Sequence, residues 1–145
     1  MTRSASARLS SVLKRSTNSV SIRFRKGWAA TRELSAEHPS MRFVSGGMSY
    51  LQDWLPNVGE AMVADGWCDS IGLGRMILSY PHLPADVTAG RDLERRLICR
   101  TFSDCTTAPR GGLVSGCYPL DDFYNEREER VQLASYKKEL RQRLR

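Results

Sequence analysis

The chain has 145 residues, of which 41% are hydrophobic and 26% charged, a composition typical of one soluble globular domain. No apolar run approaches the roughly 18 residues that a membrane helix needs, and the opening segment MTRSASARLSSVLKRS lacks the apolar core of a secretory signal. The sequence therefore predicts a cytoplasmic protein without a membrane partner, whose four cysteines are reduced thiols and not a disulfide framework.

The net charge of +6 belongs to the N-terminal segment. Residues 1–40 carry 8 Lys or Arg and 2 Asp or Glu, whereas residues 41–145 carry 14 of each. We predict that residues 1–19, rich in Ser and Arg and free of acids, are mobile, with a transit peptide and a nucleic-acid-binding arm as alternatives. Alternating apolar residues in VSIRFRKGW (20–28) give a weak strand signal, and residues 29–38 predict a short helix.

Residues 41–75 predict a strand, a helix and a strand, the order and length of a parallel βαβ unit. The first strand, in MRFVSGG, stops at a glycine pair, and the second lies in WCDSIGLG. Between them Pro56 either kinks the helix or lies in the first turn of a new one, and Gly66 ends it. One apolar face of this helix is formed by Leu51, Leu55, Val58 and Met62.

The rest of the chain predicts helices and one loop. Arg75 begins a helical stretch, a short helix runs from Pro84 to Gly90, and RDLERRLICRTF predicts a further helix. Residues 106–122 are rich in Gly, Pro and Thr and predict a loop. The C-terminal segment predicts a surface helix whose apolar stripe consists of Leu133, Tyr136, Leu140 and Leu144.

Both predicted strands of the βαβ unit end in glycines, Gly46–Gly47 after the first strand, and Gly72 and Gly74 around the end of the second. Ligands of parallel sheets bind outside the carboxyl ends of the strands. A phosphate there needs several backbone N–H groups that no side chain obstructs, and Arg75 can add a charged hydrogen bond. The alternative is that these glycines only let the chain turn.

The segments FVSGGMSYLQDW and AMVADGWCDSIGLGRMILSYPHLP resemble the C-terminal part of the NADH:flavin oxidoreductase family, the relatives of old yellow enzyme. Enzymes of this family are FMN-dependent (β/α)8 barrels that transfer hydride from NAD(P)H through the flavin to an acceptor. The resemblance implies that Gly46 and Gly47 match the loop after the seventh barrel strand. It also implies that Gly74 and Arg75 match the Gly-Arg after the eighth strand, and that the two loops together hold the FMN phosphate.

The fold class that the resemblance implies is α/β, the C-terminal portion of an incomplete (β/α)8 TIM barrel over residues 41–122. A disordered or irregular basic segment precedes it over residues 1–40, and a surface helix follows over residues 123–145. A complete barrel needs roughly 200 residues, and the family's substrate-binding histidine pair and catalytic tyrosine have no counterpart here, so we predict no catalytic residue. The implied function is that of a truncated FMN-dependent NAD(P)H:flavin oxidoreductase-type polypeptide, which contributes the phosphate-binding loops and is not catalytically competent alone.

Two other functional classes stay open. The chain is alternatively a small basic nucleic-acid-binding protein that acts through residues 1–32, or a fragment that self-associates through exposed sheet edges. One branch of the family carries a 4Fe–4S cluster just after the resembling region. Because Cys99, Cys105 and Cys117 lack the close C-x2-C pair of such clusters and of zinc sites, we predict neither an iron–sulfur cluster nor another metal.

Overall fold

A computed structural model describes residues 19–144 of the chain, with side chains described from Lys26 onward. The chain divides into two compact units between Gly74 and Arg75. The unit that ends at Gly74 is called unit 1, and the unit that begins at Arg75 is called unit 2.

Unit 1 combines helices with a two-stranded sheet. Helix α1 spans Ser19–Glu37, and strand β1 spans Val44–Ser45. A 3₁₀ helix, Met48–Trp54, leads into helix α2, Leu55–Ala64, and strand β2 follows at Ser70–Ile71. The prediction of a strand, a helix and a strand over this stretch is thereby confirmed.

The two strands of unit 1 are parallel, as a βαβ unit requires. Val44 lies opposite Ser70 and Ser45 lies opposite Ile71. Helix α2 lies close to β2 because Gly59 has no side chain, since a Cβ atom there would be only 3.1 Å from Cγ1 of Ile71. Strand β2 is therefore packed against the helix that connects the two strands.

The ends of α2 follow the chemistry that the sequence predicts. Pro56 lies in the first turn of the helix. A backbone N–H there would have no partner within the helix, so the proline, which lacks one, costs no hydrogen bond. Gly66 follows the helix with a φ of 68°, a left-handed conformation that glycine adopts without a Cβ clash. The core of unit 1 is formed by the buried side chains of Trp28, Met48, Leu55, Val58, Met62 and Cys68.

Asp69 ties together the amino ends of the two strands. Its Oδ2 accepts the backbone N–H of Phe43 at 2.8 Å, and its Oδ1 accepts from Nη1 of Arg42 at 2.6 Å. The Phe43 N–H and then the Arg42 guanidinium hold the pKa of the Asp69 carboxyl below its usual value, because both stabilise the charged form. The backbone N–H of Asp69 in turn donates to the Phe43 carbonyl at 2.9 Å.

Unit 2 consists of short helices and one longer C-terminal helix. They are α3 Arg75–Ser79, α4 Leu83–Thr88, a 3₁₀ turn Arg95–Leu97, α5 Asp104–Arg110, α6 Asp122–Asn125 and α7 Glu129–Arg143. The predicted helices after Arg75, after Pro84 and at the C-terminus are confirmed. Part of the core of unit 2 is a cluster of Ala108, Tyr118 and Leu133.

A buried polar network orders the segment around α4. The hydroxyl of Tyr80, which is fully buried, donates to Oδ2 of Asp86 at 2.5 Å and accepts the Glu94 N–H at 3.0 Å. Nε of Arg91 donates to Oδ1 of the same Asp86 at 2.8 Å. The network satisfies the buried hydroxyl and carboxylate, whose burial without partners would be costly.

The prediction of an incomplete (β/α)8 TIM barrel is wrong. The described residues form mostly helices, and their only sheet consists of two parallel strands of two residues each. A barrel portion requires successive longer strands that each pair with neighbours on both sides. The parallel βαβ unit is therefore a local feature of a small helix-rich protein.

Two predictions for the basic segment are wrong where the structure describes it: residues 19–37 are helical and not disordered or irregular, and no strand forms over residues 20–28. Residues 20–28 belong to helix α1, and residues 1–18 lie outside the described part of the chain. Within α1, Trp28 is buried and Thr31 and Ser35 are half-buried, a spacing of three and four residues that suits one face of a helix.

The predicted helix over RDLERRLICRTF is replaced by one 3₁₀ turn and irregular backbone. Ile98 and Cys99 are both buried, and Ile98 has an extended backbone with a ψ of 124°, which ends the 3₁₀ turn. No helix of the described residues is long and apolar enough to cross a membrane.

Candidate functional site

The carboxyl ends of β1 and β2 bring two of the predicted glycine loops together. The Gly72 N–H donates to the Ser45 carbonyl at 2.8 Å and so continues the strand pair by one residue. A Cβ atom on Gly72 would lie 3.3 Å from Cγ1 of Val44 and 3.9 Å from the Cα atom of Gly46. The two loops are therefore in contact where they leave the sheet.

The glycines around these strand ends present bare backbone. Gly47 has a φ of 78°, in the left-handed region, and directly precedes the 3₁₀ helix. A Cβ atom added to Gly46 or Gly74 would meet no described atom within 4 Å. Hydrogen bonds among the described residues do not use the N–H groups of Gly46, Gly47 or Gly74. These three groups are available as hydrogen-bond donors to a ligand.

Trp28 holds the first loop, a role that the sequence pattern did not reveal. Its indole Nε1 donates to the Gly46 carbonyl at 2.9 Å, and the side chain is 4% exposed. The carbonyl of Gly46 is thus turned toward α1 and bound there. The signal in the sequence is a tryptophan that follows a basic stretch with alternating apolar residues, and this pattern does not identify its partner.

The fourth predicted site residue, Arg75, belongs to unit 2. It begins α3, and its Nη1 donates to Oγ of Ser103 at 3.1 Å. The three predicted glycines lie in unit 1. The assignment of Arg75 to a phosphate site stays a prediction.

Three cysteines line one small cavity of unit 2. Cys99, Cys105 and Cys117 surround about 20 Å³, which is room for about one water molecule. All are free thiols, and burial raises the pKa of the Cys105 and Cys117 thiols, so both are protonated at neutral pH. Within residues 26–144 no group of three or more Cys, His, Asp or Glu side chains is placed to hold a metal ion.

The basic arm proposed to bind nucleic acid lies largely outside the described residues. One of its described members, Arg32, has its guanidinium 5.0 Å from the ring centroid of Trp67, a cation–π contact within unit 1. Binding of nucleic acid through residues 1–32, and self-association through exposed sheet edges, both stay predictions.

The chain matches no family model, no curated protein and no solved structure.

Proposed function

We propose that the glycine loops after β1 and β2 bind the phosphate group of FMN. The observation that carries this proposal is the contact between the two loops at the carboxyl edge of a parallel strand pair, where such sheets bind ligands. The N–H groups of Gly46, Gly47 and Gly74 would donate to the phosphate oxygens. The choice of FMN among phosphate compounds follows the family resemblance of these segments.

The loops offer a phosphate neutral backbone N–H donors that no side chain covers. The missing side chains of Gly46 and Gly74 leave open space in which a phosphate can approach the backbone. Trp28 holds the Gly46 carbonyl on the side of α1. Because this carbonyl is already bound, the loop does not need to reorganise when a ligand binds. Preorganised N–H donors bind an anion with less loss of conformational freedom than mobile ones.

The proposal includes an oxidoreductase context but assigns no catalytic residue. FMN, when bound, supplies the hydride chemistry, with NAD(P)H as the reductant that the resemblance implies. The residues of this chain bind and orient the phosphate end only. The cytoplasmic location that the sequence predicts belongs to the same proposal.

A comparison of FMN with riboflavin tests the phosphate directly, because riboflavin is FMN without its phosphate. Each flavin is titrated into the full chain and its fluorescence is followed. We expect FMN to bind at least about tenfold more tightly than riboflavin, because a hydrogen bond to a charged group contributes about 1.5–3 kcal/mol.

Glycine variants locate the site. Gly46→Ala adds a methyl group to open space without a left-handed backbone, so the fold is kept while the phosphate approach is blocked. Gly74→Asp and Gly74→Asn place a charged and a neutral side chain of similar shape at the second loop. The matched control is Gly27→Ala in α1, where the added Cβ also meets no described atom within 4 Å.

The expected result is that Gly46→Ala weakens FMN binding at least about tenfold, that Gly74→Asp weakens it more than Gly74→Asn, and that Gly27→Ala leaves it unchanged. Riboflavin binding should be insensitive to the charge at position 74. Equal affinities for FMN and riboflavin, or wild-type FMN affinity in Gly46→Ala, would show that the proposal is wrong.

A further inference from the structure

Helix α7 carries basic side chains in a row along its solvent-exposed side. Arg130, Lys138 and Arg141 are all exposed. Arg130 and Arg141 are eleven residues apart, close to three full turns, so they lie almost in line along the helix. Lys138 lies three residues before Arg141 and therefore neighbours it on the helix surface. We call these three residues the basic stripe, which extends over about 16 Å at about 1.5 Å per residue.

The charges of the basic stripe are not neutralised within the protein. None of its members forms an ion pair with another of the described residues. Nη1 of Arg130 donates to the Asn125 carbonyl at 3.3 Å, and this neutral acceptor leaves the charge uncompensated. Lys137 is not counted in the stripe, because its Nζ donates to Oδ1 of Asp104 at 2.5 Å.

The two acids of α7 lie away from the basic stripe or are already bound. Glu139 is two residues from Arg141, which places it about 160° away around the helix axis. Glu129 adjoins Arg130 in sequence, but its Oε1 accepts from Nη2 of Arg127 at 2.6 Å. The helix therefore separates its positive from its negative charges.

The stability of the helix does not explain the basic stripe. A cation in the last turn interacts favourably with the helix dipole, which accounts for Arg141. Arg130, however, lies in the first turn, where a positive charge is unfavourable. Lys138 has Ala134 and Gln142 four residues to either side, so no ion pair along the helix stabilises it. The arrangement therefore points to a role in binding.

The apolar side of α7 is used by the fold of unit 2. Leu133 is 2% exposed, and Tyr136 packs against the same buried cluster. The exposed apolar residues Val131 and Leu144 lie at opposite ends of the helix and form no continuous face. A helix that lies on a membrane inserts a free apolar face, so α7 is suited to a ligand that is recognised by charge alone.

We infer that the basic stripe binds the phosphate backbone of duplex nucleic acid. Duplex DNA carries one negative charge per about 1.7 Å of its axis, so several phosphates lie within reach of a stripe of about 16 Å at any base sequence. Each arginine can donate two parallel hydrogen bonds to one phosphate, and the lysine adds a point charge. This surface is separate from residues 1–32 and from the glycine loops of unit 1, and it does not depend on FMN binding.

The probe is a short fluorescein-labelled DNA duplex, titrated with the full chain and followed by fluorescence anisotropy at several salt concentrations. An RNA duplex of the same sequence is the second probe, because the phosphate backbone is common to both nucleic acids. Phosphatidylserine vesicles are the third, since they present negative charge without a nucleic acid. We expect both duplexes to bind with an affinity that falls as salt rises, because each phosphate contact releases counterions.

Variants separate the position of the charges from their number. The double variant Lys138→Gln, Arg141→Gln removes two charges of the basic stripe. The matched control is the double variant Arg110→Gln, Arg143→Gln, which removes two exposed arginines outside the stripe. Both lower the net charge equally, so a difference between them reports where the nucleic acid binds. Arg130→Gln tests the other end of the stripe, and far-UV circular dichroism shows whether each variant is folded.

The stripe double variant should weaken binding of both duplexes at least about tenfold and reduce the slope of log affinity against log salt by about 2. Arg130→Gln should reduce this slope by about 1, and the control double variant by less than about 0.5. The inference would be overturned by equal losses in the two double variants, by a stripe effect on one duplex only, or by no binding of either duplex at low salt. Vesicle binding that depends on the stripe while neither duplex binds would overturn it in favour of a membrane surface.

Discussion

Trp28→Phe tests how α1 is attached to the first glycine loop. The change removes the indole N–H that donates to the Gly46 carbonyl at 2.9 Å, and it shortens a side chain that is only 4% exposed. Gly46 itself is exposed, so water can replace the lost donor, and the bond should cost about 1 kcal/mol and not the larger penalty of a buried unsatisfied group. The smaller ring buries about 40 Å² less apolar surface, which adds about 1 kcal/mol.

We therefore expect Trp28→Phe to lower the free energy of unfolding by about 2 kcal/mol. The assay is urea denaturation of the full chain followed by far-UV circular dichroism, because the substitution itself alters tryptophan fluorescence. Trp54→Phe is the matched control, since Trp54 is 61% exposed and should change the free energy of unfolding by less than about 0.5 kcal/mol. Equal effects of the two substitutions would refute the attachment of α1 through Trp28.

Three further predictions concern packing and charge. Gly116→Ala should destabilise the protein by about 1–3 kcal/mol in urea denaturation, because its Cβ would lie less than 3.0 Å from ring atoms of Tyr124; an unchanged midpoint would contradict this packing. Ser45→Ala should change stability by less than about 0.5 kcal/mol or increase it, because the buried Ser45 hydroxyl has no hydrogen-bond partner among the described residues; a loss above about 1 kcal/mol would reveal a partner. Hydrogen bonds from Arg127 lower the pKa of Glu129 to about 2 from an ordinary 4.5, so its stabilising effect is complete above pH 4.5 and is lost as the pH falls toward 2. Glu129→Gln should therefore lower Tm at pH 6 and have little effect near pH 2, and a Tm difference independent of pH would contradict the pairing.

The sequence predicted the parts of the fold that depend on neighbouring residues. The βαβ order of residues 41–75 was predicted from glycines at the ends of the elements, an apolar face at helical spacing and a proline in a first turn. The structure confirms this order. The C-terminal helix was also predicted, and Leu133 on its apolar stripe is buried, whereas Leu144 is 86% exposed. Periodicity identifies the stripe, but the position of the neighbouring elements determines how much of it is covered.

The errors lie where residues distant in sequence decide the conformation. A barrel requires strands that pair on both sides, and the resemblance of short segments says nothing about whether those partners are present. Alternation over residues 20–28 suggested a strand, yet this stretch lies in the helix that places Trp28 against the Gly46 carbonyl. Ile98 and Cys99 are both buried, and Ile98 is extended where the apolar spacing of the sequence predicted a helix.

The candidate phosphate site also has features that the sequence predicts and features that only the tertiary structure determines. The residue types that leave backbone N–H groups exposed, Gly46, Gly47 and Gly74, can be read from the sequence because only glycine lacks a Cβ atom. The contact between the two loops follows from the parallel pairing of β1 and β2, and the attachment of Trp28 follows from the packing of α1. The sequence by itself determined which residues lack side chains and where short elements begin and end, because these properties are local. Only the tertiary structure decided which loops meet, since that depends on hydrogen bonds and burial between residues far apart in the chain.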